Sequence, residues 1–325
     1  MHTGGEPVRI VVAGYPEIPG DTILAKRRHA REHLDRYRRM LIFEPRGHYD
    51  MYGVIPVVPD HPKADLAVLF MHNEGYSTMC GHATIAIGRW AVDTGLVARE
   101  APETHFNLQV PCGLVRVRVE VHGETTGATR FESVPAFAAV LDRLVEVPGI
   151  GKVRLDIGYG GAFYALVPAD ALGLDLRRSS VAEIVARADV VTQATKAQVP
   201  LAHPDDPDLA FLYGTIVTDG HDAFGQNATR NVCVFAEREV DRSPTGSGVT
   251  ARIAVQHAKG LIALGQERKF ESLTDAIFTG KVIATTKVGD FDAVTVDVGG
   301  RAHYTGTARF TVEPDDMLGG GFLLR

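Results

Sequence analysis

The sequence predicts an α/β protein built as two similar halves, each a set of strands wrapped about one apolar helix. Three observations carry that reading. The stretch Met79-Cys80-Gly81-His82-Ala83-Thr84 follows a strand-like run and opens the apolar run "IAIGRWAV". About half a chain length later, "DRSPTGSGVTARIAV" repeats the design, with Thr245 standing where Cys80 stands in the first junction. Strand-like segments fill most of the chain around both. Such repetition predicts an internal duplication with pseudo-twofold symmetry. No low-complexity linker separates the halves, so they are expected to pack tightly, with both helix starts facing one cleft. The expected division sets residues 1–155, joined by the tail 312–325, against residues 156–311.

Composition narrows the class. The chain has 325 residues, 45% of them apolar, which is enough for a sizeable core. A formal net charge of -6 argues against a nucleic-acid partner, which demands clustered positive charge. The one basic run, "AKRRHAREHLDRYRRM", interleaves Glu32 and Asp35 and reads as a solvated helix face. No run reaches the roughly 18 apolar residues of a membrane span. The first residues lack the basic-then-apolar order of an export signal. Three scattered cysteines make neither a disulfide framework nor a CxxC pattern, so reduced thiols in a cytoplasmic protein are expected.

In chain order, residues 7–14, "PVRIVVAG", read as a first buried strand, and Asp21 as the N-cap of a charged helix reaching toward Pro45. The next loop gathers His48, Asp50 and Tyr52 before a short strand. After Cys80, "CGHATIAIGRWAVDTGLV" reads as a central helix buried on most sides and ended by Gly95. Then "HFNLQVPCGLVRVRVEVHG" places Val115, Val117, Val119 and Val121 on one face of a half-solvated antiparallel hairpin. Short strands fit "ATRFESVPA", "KVRLDIG" and "GAFYALV". The second half restates the order with a helix in "SVAEIVARADVVTQATKAQ" and strands in "AFLYGTIVTD" and "TRNVCVFAE". The apolar helix "VTARIAVQHAKGLIAL" follows Thr245, and terminal strands include "DAVTVDVG" and "GTARFTVE".

The junctions suggest chemistry. A cysteine at a helix start meets unpaired N–H groups and the positive dipole end, which favour the thiolate and predict a thiol poised near working pH. Two opposed helix starts can bind a carboxylate without a cationic side chain, and they stabilise charge that develops when the adjacent Cα proton leaves. Cys80 is the expected base. Gly246 and Ser247 add backbone donors. Asp241 reads either as the acceptor for a substrate ammonium or as a capping or Arg242-paired carboxylate. His82 reads either as a core histidine or as a substrate contact. Cys112 and Cys233, inside strand patterns, read as core thiols. "GYGGAFYA" lacks the spacing and lysine of a phosphate loop, and no cluster has metal-ligand spacing. Neither a metal nor an organic cofactor is expected.

The stretches "EPRGHYDMYG", "NEGYSTMCGHATIA", "LDIGYGGAFYA", "NVCVFAEREVDRSPTGSGVTARIA" and "FTVEPDDMLGGGFLLR" together resemble the proline racemase superfamily, nearly end to end. Racemases and epimerases of that superfamily carry a cysteine in both junctions. Here Ser243-Pro244-Thr245-Gly246-Ser247 is similar to its dehydratase branch. The resemblance implies an α/β (α+β) fold of two pseudo-symmetric halves, each a bent, mostly antiparallel sheet or barrel around a central helix, as in proline racemase and diaminopimelate epimerase. It implies carboxylate binding by Gly81, His82, Gly246 and Ser247, ring-nitrogen contacts from Asp241 and His82, and aromatic walls from Tyr52 and Phe235. Tyr52 stands in place of the phenylalanine common in the family. The implied substrate is a small imino acid, with neither nucleic acid nor membrane as partner, and a homodimer is compatible with the sequence.

The implied activity is dehydration of trans-3-hydroxy-L-proline to Δ1-pyrroline-2-carboxylate. A threonine hydroxyl is too weak an acid or base to serve the second face that racemisation needs. The alternatives are a hydroxyproline 2-epimerase or proline racemase, and a non-catalytic amino-acid-binding protein.

Overall fold

Charge patterning between residues 21 and 45 resolves into two short helices in the computed structural model, which describes residues 1–324. Helix α1 spans Ile23–His33 and α2 spans Asp35–Ile42. The N-cap is Thr22, not the expected Asp21: the Thr22 hydroxyl accepts the Ala25 N–H at 3.1 Å. The break falls at Leu34, and beyond it Arg38 is drawn inward. Its guanidinium pairs with Asp35 at 2.6 Å and donates to the carbonyls of His72 and Asn73. A periodic charge pattern does not reveal such an anchor.

Helix α3, Gly81–Asp93, is the first central helix; ten of its residues are buried, and Gly95 ends it at φ +74°. Helix α4, Val181–Gln198, opens with a capping box in which the Ser180 hydroxyl and the Glu183 carboxylate bond each other's backbone N–H. Helix α5, Gly246–Ala258, is the second central helix. It stops at Gly260, φ +70°, short of the predicted Leu264, because Leu261 N–H turns back to the Gln256 carbonyl at 2.8 Å.

Among the described residues fifteen strands form one sheet, mostly antiparallel, one of them, Glu239–Val240, pairing with Thr229–Phe235 at its side. From its outer edge run Arg9–Ile10, Gly53–Val57, Leu66–Met71, Glu103–Val110, Gly113–His122 and Thr125–Glu132, each beside the next. Phe291–Gly300 follows, bonded to Thr125–Glu132 on one side and to Ala136–Val147 on the other. The path continues through Gly151–Tyr159, Phe163–Pro168, Leu212–Thr218, Thr229–Phe235, Glu267–Glu271 and Ile277–Val288. That last strand pairs back onto Phe291–Gly300, so eight strands close into a barrel. Helix α5 packs against five of them, and α3 lies on the open portion, against Thr125–Glu132 and Gly113–His122.

A small hairpin completes the floor under α3: His2–Thr3 pairs with Glu6–Pro7 and with Ala302–His303. It corrects the first predicted strand. Glu6–Pro7 is spent on the hairpin, so only Arg9–Ile10 joins the main sheet, and Val12 is 72% exposed. Strand Ala136–Val147 runs well past the predicted end at Ala136; its middle, Leu141 to Leu144, is exposed and lacks the alternation that marks a strand in sequence. "GTARFTVE" forms no strand; Phe310 instead lies under the Arg9 guanidinium at 4.4 Å. Among the described residues, no helix is long and apolar enough to cross a membrane.

Candidate active site

The two central helices meet at their N-termini. A Cβ added to Gly81 would lie 2.4 Å from the Cα of Gly246, and one added to Gly246 would lie 2.7 Å from the Cα of Gly81. Only glycine permits that approach. Both positive dipole ends and their unpaired N–H groups therefore converge on one spot, an arrangement suited to an anion. The glycine-rich stretch at 158–161 serves packing. A Cβ on Gly160 would strike the Ser247 carbonyl at 2.2 Å, and one on Gly161 the Met79 side chain at 2.6 Å.

Cys80 and Thr245 occupy the two N-cap positions in different conformations. Cys80 is extended, with φ -149° and ψ 111°, whereas Thr245 has φ +64° and ψ 91°. A β-branched residue in the left-handed region carries a strain of about 1–3 kcal/mol. The Thr245 Oγ1 is buried with no hydrogen-bond partner among the described residues. The two helix starts thus differ in backbone as well as in side chain.

All the predicted site residues come together in the interior. Cys80, Thr245, His82, Asp241, Ser247, Tyr52 and Phe235 are each no more than 5% exposed. Cys80 Sγ lies 3.1 Å from His82 Nδ1. The His82 carbonyl accepts from Thr3 Oγ1 at 2.9 Å. Asp241 Oδ1 accepts the Ser243 N–H at 2.7 Å, while the Arg242 guanidinium pairs with Asp50 and Glu6. Ser247 Oγ lies 2.7 Å from the Tyr164 hydroxyl. Tyr52 packs edge-on against His82 at 4.9 Å and against Phe235 at 6.2 Å.

Electrostatics correct one expectation. The Cys80 thiol is pushed well above its ordinary value, because burial outweighs the helix start; the Ala83 N–H and Tyr52 pull it down, while the charges of Asp241 and Glu6 add to the rise. Burial likewise lowers His82, against the pull of Asp241, and keeps its imidazole neutral. Cys233 is buried behind Thr245, its thiol also raised by burial, in keeping with a core thiol.

Several residues at the site carried no signal in the sequence. Thr3 and Glu6, on the N-terminal hairpin, brace the two junctions: Thr3 holds the His82 carbonyl, and a Glu6 carboxylate oxygen accepts the Arg242 N–H at 2.7 Å. Burial and the charge of Asp241 raise Glu6 well above the usual carboxylate range. His72 and Tyr213 join the aromatic wall, with Tyr213 stacked on Phe235 at 5.1 Å. Each reaches the site through tertiary packing alone. Among the described residues, no group of three or more His, Cys, Asp or Glu side chains is arranged to hold a metal ion.

Known proteins share both fold and sequence with this chain. Residues 1–323 match the family described as Proline racemase. The chain is 58% identical over 330 residues to the trans-L-3-hydroxyproline dehydratase of Bos taurus, covering 100% of this chain and 93% of that one. It is 57% identical over 330 residues to the trans-3-hydroxy-L-proline dehydratase of Homo sapiens, with the same 100% and 93% coverage. A hydroxyproline epimerase from Agrobacterium vitis, solved with bound trans-4-hydroxy-L-proline, superposes with a TM-score of 0.94 at 26% identity, covering 99% of this chain and 93% of that chain.

Proposed function

The chain belongs to the proline racemase family, and from that premise we propose that it is a cofactor-independent hydro-lyase converting trans-3-hydroxy-L-proline to Δ1-pyrroline-2-carboxylate. The observation that carries this choice is Thr245 at the second helix start, opposite Cys80. Racemisation takes a proton from one face of Cα and returns one to the other, so it needs an acid and a base on opposite sides. The Thr245 hydroxyl can provide neither at neutral pH.

Elimination needs only one face. In trans-3-hydroxy-L-proline the hydroxyl lies opposite the carboxylate, hence on the same ring face as the Cα hydrogen. The N–H groups of Gly81, His82, Gly246 and Ser247 hold the carboxylate, and Asp241 receives the ring ammonium. Cys80 thiolate removes the Cα proton as the 3-hydroxyl departs, and the enamine tautomerises to the cyclic imine. Tyr52 and Phe235 wall the ring. Docking an ammonium on Asp241 offsets one of the charges that hold the Cys80 proton in place, so substrate binding itself favours the thiolate. The identities to the two dehydratases support this reading. The same reading divides the chain into a Cys80-bearing half, 1–155 with 312–325, and a Thr245-bearing half, 156–311, although Ala136–Val147 and the start of Gly151–Tyr159 pack around α5 with the second. It takes the protein as cytoplasmic, in keeping with its three free cysteines.

Incubation with trans-3-hydroxy-L-proline is expected to release a ketimine that borohydride reduces to proline, and trans-4-hydroxy-L-proline is expected to return unchanged. A new epimer from the second substrate, without ketimine from the first, would favour the isomerase instead. Thr245→Cys should gain Cα epimerisation by placing a thiol on the second face; no gain would count against the two-face argument.

The pH profile has a definite sign. The base acts when deprotonated, and its thiol in the free enzyme titrates above the ordinary range. Accordingly kcat/KM should climb between about pH 7 and 9, by at most about tenfold per unit. A profile flat across that window would contradict a raised thiol as the base.

A further inference from the structure

Dehydration leaves one proton to be supplied. As the C3–O bond breaks, the departing oxygen needs a hydrogen, and it needs it on the face that Cys80 occupies. A pair of buried hydroxyls stands beside that face. Tyr52 Oη lies 2.6 Å from Ser77 Oγ, and the two residues are 1% and 0% exposed. The Tyr52 ring meets the His82 ring edge-on at 4.9 Å, and His82 Nδ1 is 3.1 Å from Cys80 Sγ. Phenol, imidazole and thiol thus form one contiguous group.

The pair has two hydrogen-bonding states. Ser77 Oγ also reaches the Met79 carbonyl at 3.3 Å. When Ser77 donates there, Tyr52 donates to Ser77. When Ser77 instead donates to Tyr52, the phenolic proton is free to turn toward Cys80 or the substrate. Hydrogen bonding from Tyr52 is one of the influences that favour the Cys80 thiolate, in keeping with the second state. An aromatic wall needs no hydroxyl, and burying one carries a desolvation cost. The wall alone leaves that hydroxyl unexplained.

We propose that Tyr52 is the general acid that protonates the departing 3-hydroxyl, an inference that rests on the dehydration reading above. The step balances. The Cα–H bond breaks as its proton joins the Cys80 thiolate. The electron pair left at Cα forms the ring double bond, and the C3–O bond breaks with its own pair on oxygen. Tyr52 gives its phenolic proton to that oxygen, which leaves as water. The tyrosinate recovers a proton from the Cys80 thiol, restoring both groups for the next turnover. Burial raises the Cys80 thiol and the Tyr52 phenol alike, the Cys80 charge adds to the rise at Tyr52, and a phenol ordinarily holds its proton more tightly than a thiol, so the proton returns to Tyr52. Ser77 is a positioning residue that holds the phenol in reach.

The test compares two leaving groups in Tyr52→Phe, which keeps the ring wall. Fluoride leaves with far less need of a proton than hydroxide does. Ketimine formation from trans-3-hydroxy-L-proline should fall about 10²–10³-fold, and that from trans-3-fluoro-L-proline at least about tenfold less, because losing the Tyr52 hydrogen bond to Cys80 slows proton removal from both substrates while only the hydroxy substrate also loses its acid. Ser77→Ala should show the same contrast in weaker form, about tenfold on the hydroxy substrate. An unchanged thermal midpoint certifies the fold of each variant. Equal losses on both substrates would overturn the proposal, since Tyr52 would then serve the base rather than the leaving group. So would native turnover of the hydroxy substrate by Tyr52→Phe. If the native protein forms no ketimine at all, the dehydration reading itself fails, which is a different result from either.

Discussion

Replacing Cys80 by serine lowers ketimine formation from trans-3-hydroxy-L-proline by about 10³–10⁴-fold, the upper part of the range for losing a positioned base. The substitution is nearly isosteric. The bond from Thr84 Oγ1 to the Cys80 carbonyl, 2.7 Å, involves only backbone at position 80 and is retained, so α3 should start where it does now. A serine hydroxyl beside neutral His82 gives no oxyanion near neutral pH, so carboxylate and ammonium binding persist while proton removal stops. Steady-state ketimine assays with a binding measurement separate the two. Loss of turnover with dissociation constants within about threefold of native is the expected outcome. A variant that kept a tenth of native activity would remove Cys80 from the role of base.

Gly81→Ala is expected to disable the protein by another route. The new Cβ would lie 2.4 Å from the Gly246 Cα, 2.8 Å from the Gly246 carbonyl carbon and 2.9 Å from the Ser247 nitrogen. All three are backbone atoms of the opposing helix start, so no side chain can swing aside. Relief requires the two helices to part, at a cost of about 1–3 kcal/mol in stability. The N–H groups that would clamp the carboxylate then no longer share one focus. Denaturant unfolding should register the first effect and a raised KM the second. Native stability and native KM together would mean that the helix starts are less closely opposed than the geometry has them.

How much of this was written in the sequence depends on how local each feature is. Helices α3 and α5 were legible because a reactive or polar residue, a glycine and an uninterrupted apolar run occur within a few positions. The Val115 to Val121 strand was legible from its alternation. The break at Leu34 was not, because Arg38 is held by carbonyls at His72 and Asn73, far away in the chain. The sequence shows Thr245 as the counterpart of Cys80 but not its left-handed backbone, since no propensity assigns that conformation to a β-branched residue. The helix start alone predicts a lowered Cys80 thiol, and burial by residues from both halves reverses that. Glu6, Thr3, His72 and Tyr213 were invisible for the same reason: only the closed sheet brings them to the junctions.

The strand Phe291–Gly300 bears on how the chain can be divided. It bonds to Thr125–Glu132, to Ala136–Val147 and to Ile277–Val288, and so belongs to the open sheet and the barrel at once. During synthesis the Thr125–Glu132 edge must wait, unpaired, until almost the whole polypeptide has emerged. A ribosome-bound chain that stops near the midpoint offers that bare edge to other chains, an invitation to aggregate. One late strand thus ties the sheet around α3 and the barrel around α5 into a single folding unit.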